Sequence, residues 1–237
     1  VPQHDLGGYV LAGGRSSRMG QDKALLEIGG QTLAERATSK LRSICRDVHI
    51  LSRNPTLARF APLIEDRHPD CGPLGGIEAA LAHTTHEWNL ILPVDLPFLP
   101  AEFLQVWVSR VLEATASSLV ISMFSVHGVP QPTLMLVRRA LLPELSRALA
   151  EGRYKLTPTL IDGARALLNS ADGGGPGYLI EELEHDPYVK EMDRVMIQVD
   201  GPRTTPYEMF DLWFANVNTP EEFALACRQA DDVGSVS

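Results

Sequence analysis

Short apolar runs alternate with longer stretches whose apolar residues recur at helical spacing over most of the chain. After a frayed 1–7, residues 8–11 read as a first strand, with Tyr9 to Ala12 its apolar run. Leu33, Ala37, Leu41 and Ile44 share one face, which predicts a helix over 33–44 capped by Thr32, with Cys45 late on the same pattern. Strands are expected at 48–51 and 63–64, with a helical turn at 57–60 between them. A helix at 74–83 turns Ile77, Ala80 and Leu81 inward, and the nearly unbroken apolar run 88–92 marks a strand buried on both faces. A helix at 101–115, a strand at 119–124, a turn at 128–132 and a strand at 133–137 follow. The amphipathic stretch 138–151 turns Leu141, Leu142, Leu145 and Leu149 inward until Gly152 stops it.

From 153 to 212 the pattern weakens. Residues 156–168 read as helical despite Pro158 and Gly163, 173–177 as a glycine-rich break, 178–185 as a short acidic helix, 195–199 as a strand and 202–206 as a loop. Residues 213–217 read as a last strand. Thr219-Pro220-Glu221-Glu222 then opens a helix, with Thr219 as cap, Pro220 at its first position and Glu222 closing a capping box. Alternation of this kind predicts an α/β fold, a mainly parallel mixed sheet with helices on both faces. The expected organisation is one domain over 1–237, with a less typical, insertion-like segment at about 153–212. Ligands of such sheets lie outside the carboxyl ends of the strands. Gly13, Ser52, Asp66 and Asp95 each follow a strand and should therefore share one edge.

Composition narrows the ligand. The 237 residues carry a net charge of −9, which argues against a broad nucleic-acid surface. An anionic substrate needs a local basic site instead. The loop after the first strand supplies one: Gly13-Gly14-Arg15-Ser16-Ser17-Arg18, then Gly20 and Lys23. Glycines let backbone N–H groups close around phosphate oxygens. The loop is neither a P-loop, because Gly-Lys-Ser/Thr is absent, nor the Gly-x-Gly-x-x-Gly dinucleotide fingerprint. Asp95 follows a buried strand and precedes Pro97, a place for a metal ligand or for a turn residue bonding its own backbone. The three cysteines, Cys45, Cys71 and Cys227, show neither metal-ligand spacing nor a disulfide framework. No signal peptide and no apolar run near eighteen residues is present, so a cytoplasmic address without membrane contact is expected.

Leu11-Ala12-Gly13-Gly14-Arg15-Ser16-Ser17-Arg18-Met19-Gly20-Gln21-Asp22-Lys23 closely resembles the signature of nucleotidyltransferases of the molybdenum cofactor guanylyltransferase (MobA) type. Gly72-Pro73-Leu74-Gly75-Gly76-Ile77, Pro93-Val94-Asp95-Leu96-Pro97-Phe98, Gln131-Pro132 and Asn216-Val217-Asn218-Thr219-Pro220 resemble the family's later motifs, in order. The resemblance implies a three-layer, Rossmann-like nucleotidyltransferase fold. It also implies transfer of GMP from GTP to the terminal phosphate of molybdopterin cofactor, with Mg²⁺, releasing pyrophosphate. Leu11, Ala12 and Gly13 would contact the nucleotide through backbone, with Gly14, Arg15, Ser52, Arg53, Asp66 and Asp95 completing its site. Lys23, Asp95 and Arg18 would be catalytic, Lys23 on phosphate and Asp95 on the metal.

Asn218, with Asn216, completes the metal or cofactor side or is only a turn residue before the helix. The register of Asp66 against Asp70 is open. So is the 52–54 loop, where Ser52-Arg53 precede Asn54 although the family often has Asn early in this loop. GTP and molybdopterin are the implied substrates, and molybdoenzymes or cofactor-biosynthesis proteins the implied protein partners. Two alternatives stand beside this reading. One is a cytidylyl- or other nucleotidylyltransferase acting on molybdopterin, a sugar phosphate or another phosphorylated metabolite. The other is a non-catalytic nucleotide- or cofactor-binding carrier.

Overall fold

The computed structural model describes residues 4–13, 22–68, 70–113, 119–169, 178–182 and 211–234. Its central strand, β1 (His4–Leu11), begins earlier than the expected 8–11. The reason is local: the His4 N–H donates to the Ile44 carbonyl at 2.8 Å and His4 pairs with Cys45. β2 (Glu27–Ile28) and β3 (Gln31–Thr32) form a small hairpin turning on Gly29 and Gly30, both at positive φ. α1 (Leu33–Arg42) starts where the Thr32 hydroxyl accepts the Glu35 N–H at 3.2 Å. It ends short of 44, because Cys45 opens β4 (Cys45–Leu51) rather than closing the helix. The apolar signal at 44–45 belongs to sheet packing: a Cβ on Gly8 would lie 2.8 Å from Cys45 Sγ.

A 3-10 turn, Pro55–Arg59, leads to β5 (Leu63–Ile64), and α2 (Pro73–His83) and β6 (Trp88–Pro93) follow. Next come α3 (Ala101–Glu113), β7 (Ile121–Val126) and β8 (Val129–Arg138). The expected turn at 128–132 contracts to His127-Gly128, both at positive φ as a tight hairpin requires. Pro130 and Pro132 lie inside β8, beside the register shift between Met123 and Ser125, where a missing N–H is tolerated. α4 (Leu142–Ala150) is preceded by a 3-10 turn at Arg139–Leu141.

α5 (Leu156–Asn169) keeps Pro158 in its first turn, where the N–H has no helical partner anyway. Gly163 of α5 packs on α4, since a Cβ there would lie 3.0 Å from Leu141 and 3.1 Å from Glu144. The expected acidic helix at 178–185 is instead a strand, β9 (Tyr178–Glu182), paired with β7. Pairing of this backbone with β7 overrides the local preference of the sequence. The expected strand at 213–217 is also absent: helix ends at Trp213, and an irregular segment leads into α6 (Pro220–Gly234). Trp213 and Phe214 are buried and pack against Phe103, and that aromatic burial explains the apolar run without a strand. The expectations at 173–177, 195–199 and 202–206 lie outside the described residues.

The main sheet has the order β5-β4-β1-β6-β8-β7-β9, and among the described strands β8 alone runs against the rest. Alternate residues of β1 feed two apolar layers. Leu6 and Val10 face α1 and α3, joined by Ala226 of α6, while Tyr9 and Leu11 join α2, α4 and α5. The result is helix–sheet–helix in three layers. The chain leaves β1 towards β4 and β5, then crosses back to β6 on the other side of β1. The β1/β6 boundary is therefore where connections diverge, the place where such sheets hold ligands.

Candidate active site

The carboxyl ends of β1, β4, β5 and β6 lie along one edge, which brings residues 11–13, 52–54, 66 and 95 together as expected. Outside β1, β4 and β5 is a cavity of about 660 Å³, lined by Leu11, Ala12, Gly13, Ser52, Arg53 and Asp66 among others. Its floor is held by backbone: the Ala12 N–H donates to the Leu51 carbonyl at 3.3 Å and Ser52 to Ile64 at 3.1 Å. The Ser52 hydroxyl is committed locally, accepting the Asn54 N–H at 3.1 Å. Arg53 Nη2 donates to the Asp66 carbonyl at 2.6 Å and so ties two loops of the cavity.

Asp66 and Asp70 both line the cavity, and Asp66 packs against the first turn of α2. Its Oδ1 accepts the His68 N–H at 2.6 Å, and a Cβ on Gly75 would lie 2.5 Å from that same oxygen. The carboxylate thus rests on a helix N-terminus, at a position open only because residue 75 has no side chain. Gly72, the cap residue, has φ 64 and offers no side-chain cap.

At the β1/β6 boundary Lys23 Nζ lies 2.6 Å from Asp95 Oδ2 and 2.6 Å from Asn218 Oδ1. Both Lys23 and Asp95 are largely but not wholly buried. Lys23 begins a 3-10 turn, Lys23–Leu25, capped by Asp22, whose Oδ1 accepts the Ala24 N–H at 2.9 Å. Asn54 Nδ2 donates to the other Asp22 oxygen, so the loop after β4 braces the turn that carries Lys23. Asn218 is set by the capping box: Glu222 Oε2 accepts the Asn218 N–H at 2.6 Å and the Thr219 N–H at 3.0 Å. Asn216 and Asn218 are both exposed.

The Asp95 loop is fixed from three sides. The Val94 N–H donates to the Leu11 carbonyl at 3.2 Å, and the Val217 N–H donates to the Asp95 carbonyl at 3.3 Å. Lys40 of α1 donates to the carbonyls of Leu96 at 2.9 Å and Pro97 at 2.8 Å. Asp95 Oδ2 and Asn218 Oδ1 are hard oxygen donors converging on one cation, the Lys23 ammonium, so the donor set suits a hard divalent ion. Among the described residues no group of three or more His, Cys, Asp or Glu could hold a metal.

Gly14, Arg15 and Arg18 lie outside the described residues. Three contributors escape a reading of the sequence alone. Asn54 was legible as a residue before proline, and it does cap the turn at Pro55, but its reach to Asp22 is tertiary. Glu222 was legible as a capping-box residue, though not as the support of Asn218. Lys40 gave no signal, because a lysine on an amphipathic helix reads as solvated.

The family described as "MobA-like NTP transferase domain" matches residues 8–171. A molybdenum cofactor guanylyltransferase of Serratia proteamaculans (strain 568) is 36% identical over 160 residues, 64% of this chain and 77% of that protein. One of Vibrio cholerae serotype O1 is 36% identical over 158 residues, 64% of this chain and 75% of that protein. The crystal structure of molybdopterin-guanine dinucleotide biosynthesis protein A from Archaeoglobus fulgidus superposes with a TM-score of 0.68 at 21% identity, covering 96% of this chain and 100% of that one. A 2-C-methyl-D-erythritol 4-phosphate cytidylyltransferase from Thermus thermophilus gives a TM-score of 0.58 at 18% identity, covering 96% and 100%. At these identities both structures speak to the fold alone. No helix among the described residues is long and apolar enough to cross a membrane.

Proposed function

The chain belongs to the MobA-like NTP transferase domain family, and on that premise we propose that it transfers GMP from GTP to molybdopterin cofactor. The products are molybdopterin guanine dinucleotide and pyrophosphate. The observation that carries this reading is the meeting of Lys23, Asp95 and Asn218 at the β1/β6 boundary, beside a cavity of about 660 Å³.

A terminal phosphate oxygen of the acceptor attacks the α-phosphorus of GTP, the new P–O bond forms, and the α–β bridge breaks to release pyrophosphate. The protein supplies position and charge rather than a covalent partner. The backbone of Leu11, Ala12 and Gly13 and the nearby Arg53 and Asp66 hold the nucleoside. The Asp66 carboxylate is an acceptor, and guanine offers it both a ring N–H and an amino group, whereas cytosine offers only an amino group. Lys23, a compact positive charge on a flexible stem, follows the triphosphate, helped by Arg15 and Arg18 of the preceding loop. Asp95 and Asn218 are the residues to hold Mg²⁺, which when bound neutralises and aligns phosphate oxygens.

In this reading the chain acts as one nucleotidyltransferase domain in the cytoplasm. It hands its product to molybdoenzymes or to other cofactor-biosynthesis proteins, with no nucleic acid or membrane involved. The test is incubation of the protein with molybdopterin cofactor, Mg²⁺ and either GTP or CTP. Stoichiometric pyrophosphate and guanine dinucleotide from GTP support the reading. A faster reaction with CTP points to a cytidylyltransferase, and nucleotide binding without turnover points to a carrier.

A further inference from the structure

We propose that Lys40 is a positioning residue for Asp95, acting from α1 through the backbone of the loop that carries the carboxylate. This rests on the reading of Asp95 as metal ligand. Lys40 Nζ donates to two successive carbonyls, Leu96 at 2.9 Å and Pro97 at 2.8 Å, across 56 and 57 positions of sequence. Among the described residues these carbonyls are its partners and no carboxylate is. An ammonium that reaches solvent costs nothing, whereas one drawn under a loop loses hydration and must recover it in hydrogen bonds. Burial, with the nearby Arg36 charge, lowers the Lys40 pKa to about 7.

The two bonds complete the fixing of the loop. The Val94 N–H is held by Leu11, the Asp95 carbonyl by the Val217 N–H, and the next two carbonyls by Lys40. Leu96 is buried, and Pro97 adds a locked φ. With the backbone pinned on both sides of residue 95, the carboxylate keeps the direction that brings it to Lys23, which also bonds Asn218. Without Lys40, two carbonyls lose their donor and the loop can turn to find others.

Removing partners that orient a metal ligand typically costs roughly 10–100-fold in metal affinity or activity. The experiment titrates Mn²⁺ into the protein in the presence of GTP, reading free Mn²⁺ by electron paramagnetic resonance. It also measures kcat and KM for GTP with Mg²⁺. Lys40→Met keeps the aliphatic stem and removes the donors. It should weaken Mn²⁺ binding about ten-fold and lower kcat by a comparable factor, with KM for GTP little changed. Lys40→Arg can reach both carbonyls and should recover most of the Mn²⁺ affinity.

Unchanged Mn²⁺ affinity in Lys40→Met, or Arg no better than Met, overturns the proposal. If Lys40→Met does not fold, Lys40→Leu, which also lacks a donor, is read in its place, and wild-type Mn²⁺ affinity there overturns the proposal equally. Wild type that binds Mn²⁺ and transfers no GMP defeats the functional reading, while Lys40 is still judged on the metal titration. Wild type that binds no Mn²⁺ defeats both.

Discussion

The Lys23 ammonium holds the carboxylate proposed for the metal: Nζ sits 2.6 Å from Asp95 Oδ2, in an ion pair that joins residues 72 positions apart. On the proposed reading, a cation on Asp95 competes with the lysine for the carboxylate, so its binding and the turn of Lys23 towards phosphate are linked. Lys23→Met should separate the two roles. Mg²⁺ should bind more tightly in the absence of nucleotide, because its competitor is gone. Turnover of GTP should fall roughly 10²–10³-fold, as expected for loss of one preorganised positive group. Isothermal titration with Mg²⁺ and a pyrophosphate-release assay check the two halves.

Asn54 holds that lysine at one remove. Its side chain bonds Asp22, and Asp22 caps the Lys23–Leu25 turn. In Asn54→Ala the turn loses its brace, and kcat should fall about ten-fold, the low end for a supporting partner. Loss of a single hydrogen bond and a cap should cost only ~1 kcal/mol of stability. Activity loss out of proportion to the shift in Tm is the expected signature.

Gly75→Ala sets two effects against each other. Alanine is better than glycine in a helix interior by up to ~1 kcal/mol. Its Cβ, however, would come within 2.5 Å of Asp66 Oδ1 and 2.6 Å of Oδ2, so the carboxylate must leave. Overpacking of this kind costs about 1–3 kcal/mol, and rotation of the Asp66 side chain can relieve part of it. Thermal stability should then change little, while the preference for GTP over CTP, followed by thermal shift with each nucleotide, should collapse.

His49 sets a pH dependence far from the chemistry. Burial, with the neighbouring His83, lowers its pKa from the usual 6.5, opposed by Asp47. A histidine depressed in the fold is neutral there when the unfolded chain is already protonated. Its contribution is therefore complete above about pH 6.5 and is lost as pH falls towards the folded pKa. Melting temperature measured from pH 7.5 downwards should drop less steeply in His49→Phe than in wild type.

Local pattern reached most of the sheet but not its β9 end. The strand at 88–92 was legible because burial on both faces leaves an apolar run. Tyr178–Glu182 was not, because an edge strand carries glutamates that read as helix until β7 pairs with them. Cys45 misled for the opposite reason, its apolar character serving the contact with Gly8 rather than α1. In the site, Lys23 and Asp95 stood out by motif, whereas Lys40, Asn54 and Glu222 act through bonds spanning 56, 32 and four positions. The capping box was visible in Thr219 and Glu222; that it steadies Asn218 beside Lys23 depends on a loop packing that no periodicity encodes.

The central claim is that the Lys23–Asp95–Asn218 meeting point drives GMP transfer. It is tested most directly by the rate at which α-labelled GTP passes its label to molybdopterin cofactor, in wild type and in Asp95→Asn, with Mg²⁺ present. The account predicts label in the dinucleotide product with wild type and a loss of roughly 10²-fold or more in the variant, with the fold intact. Equal transfer by the two proteins, or none by a wild type that binds GTP, would contradict it.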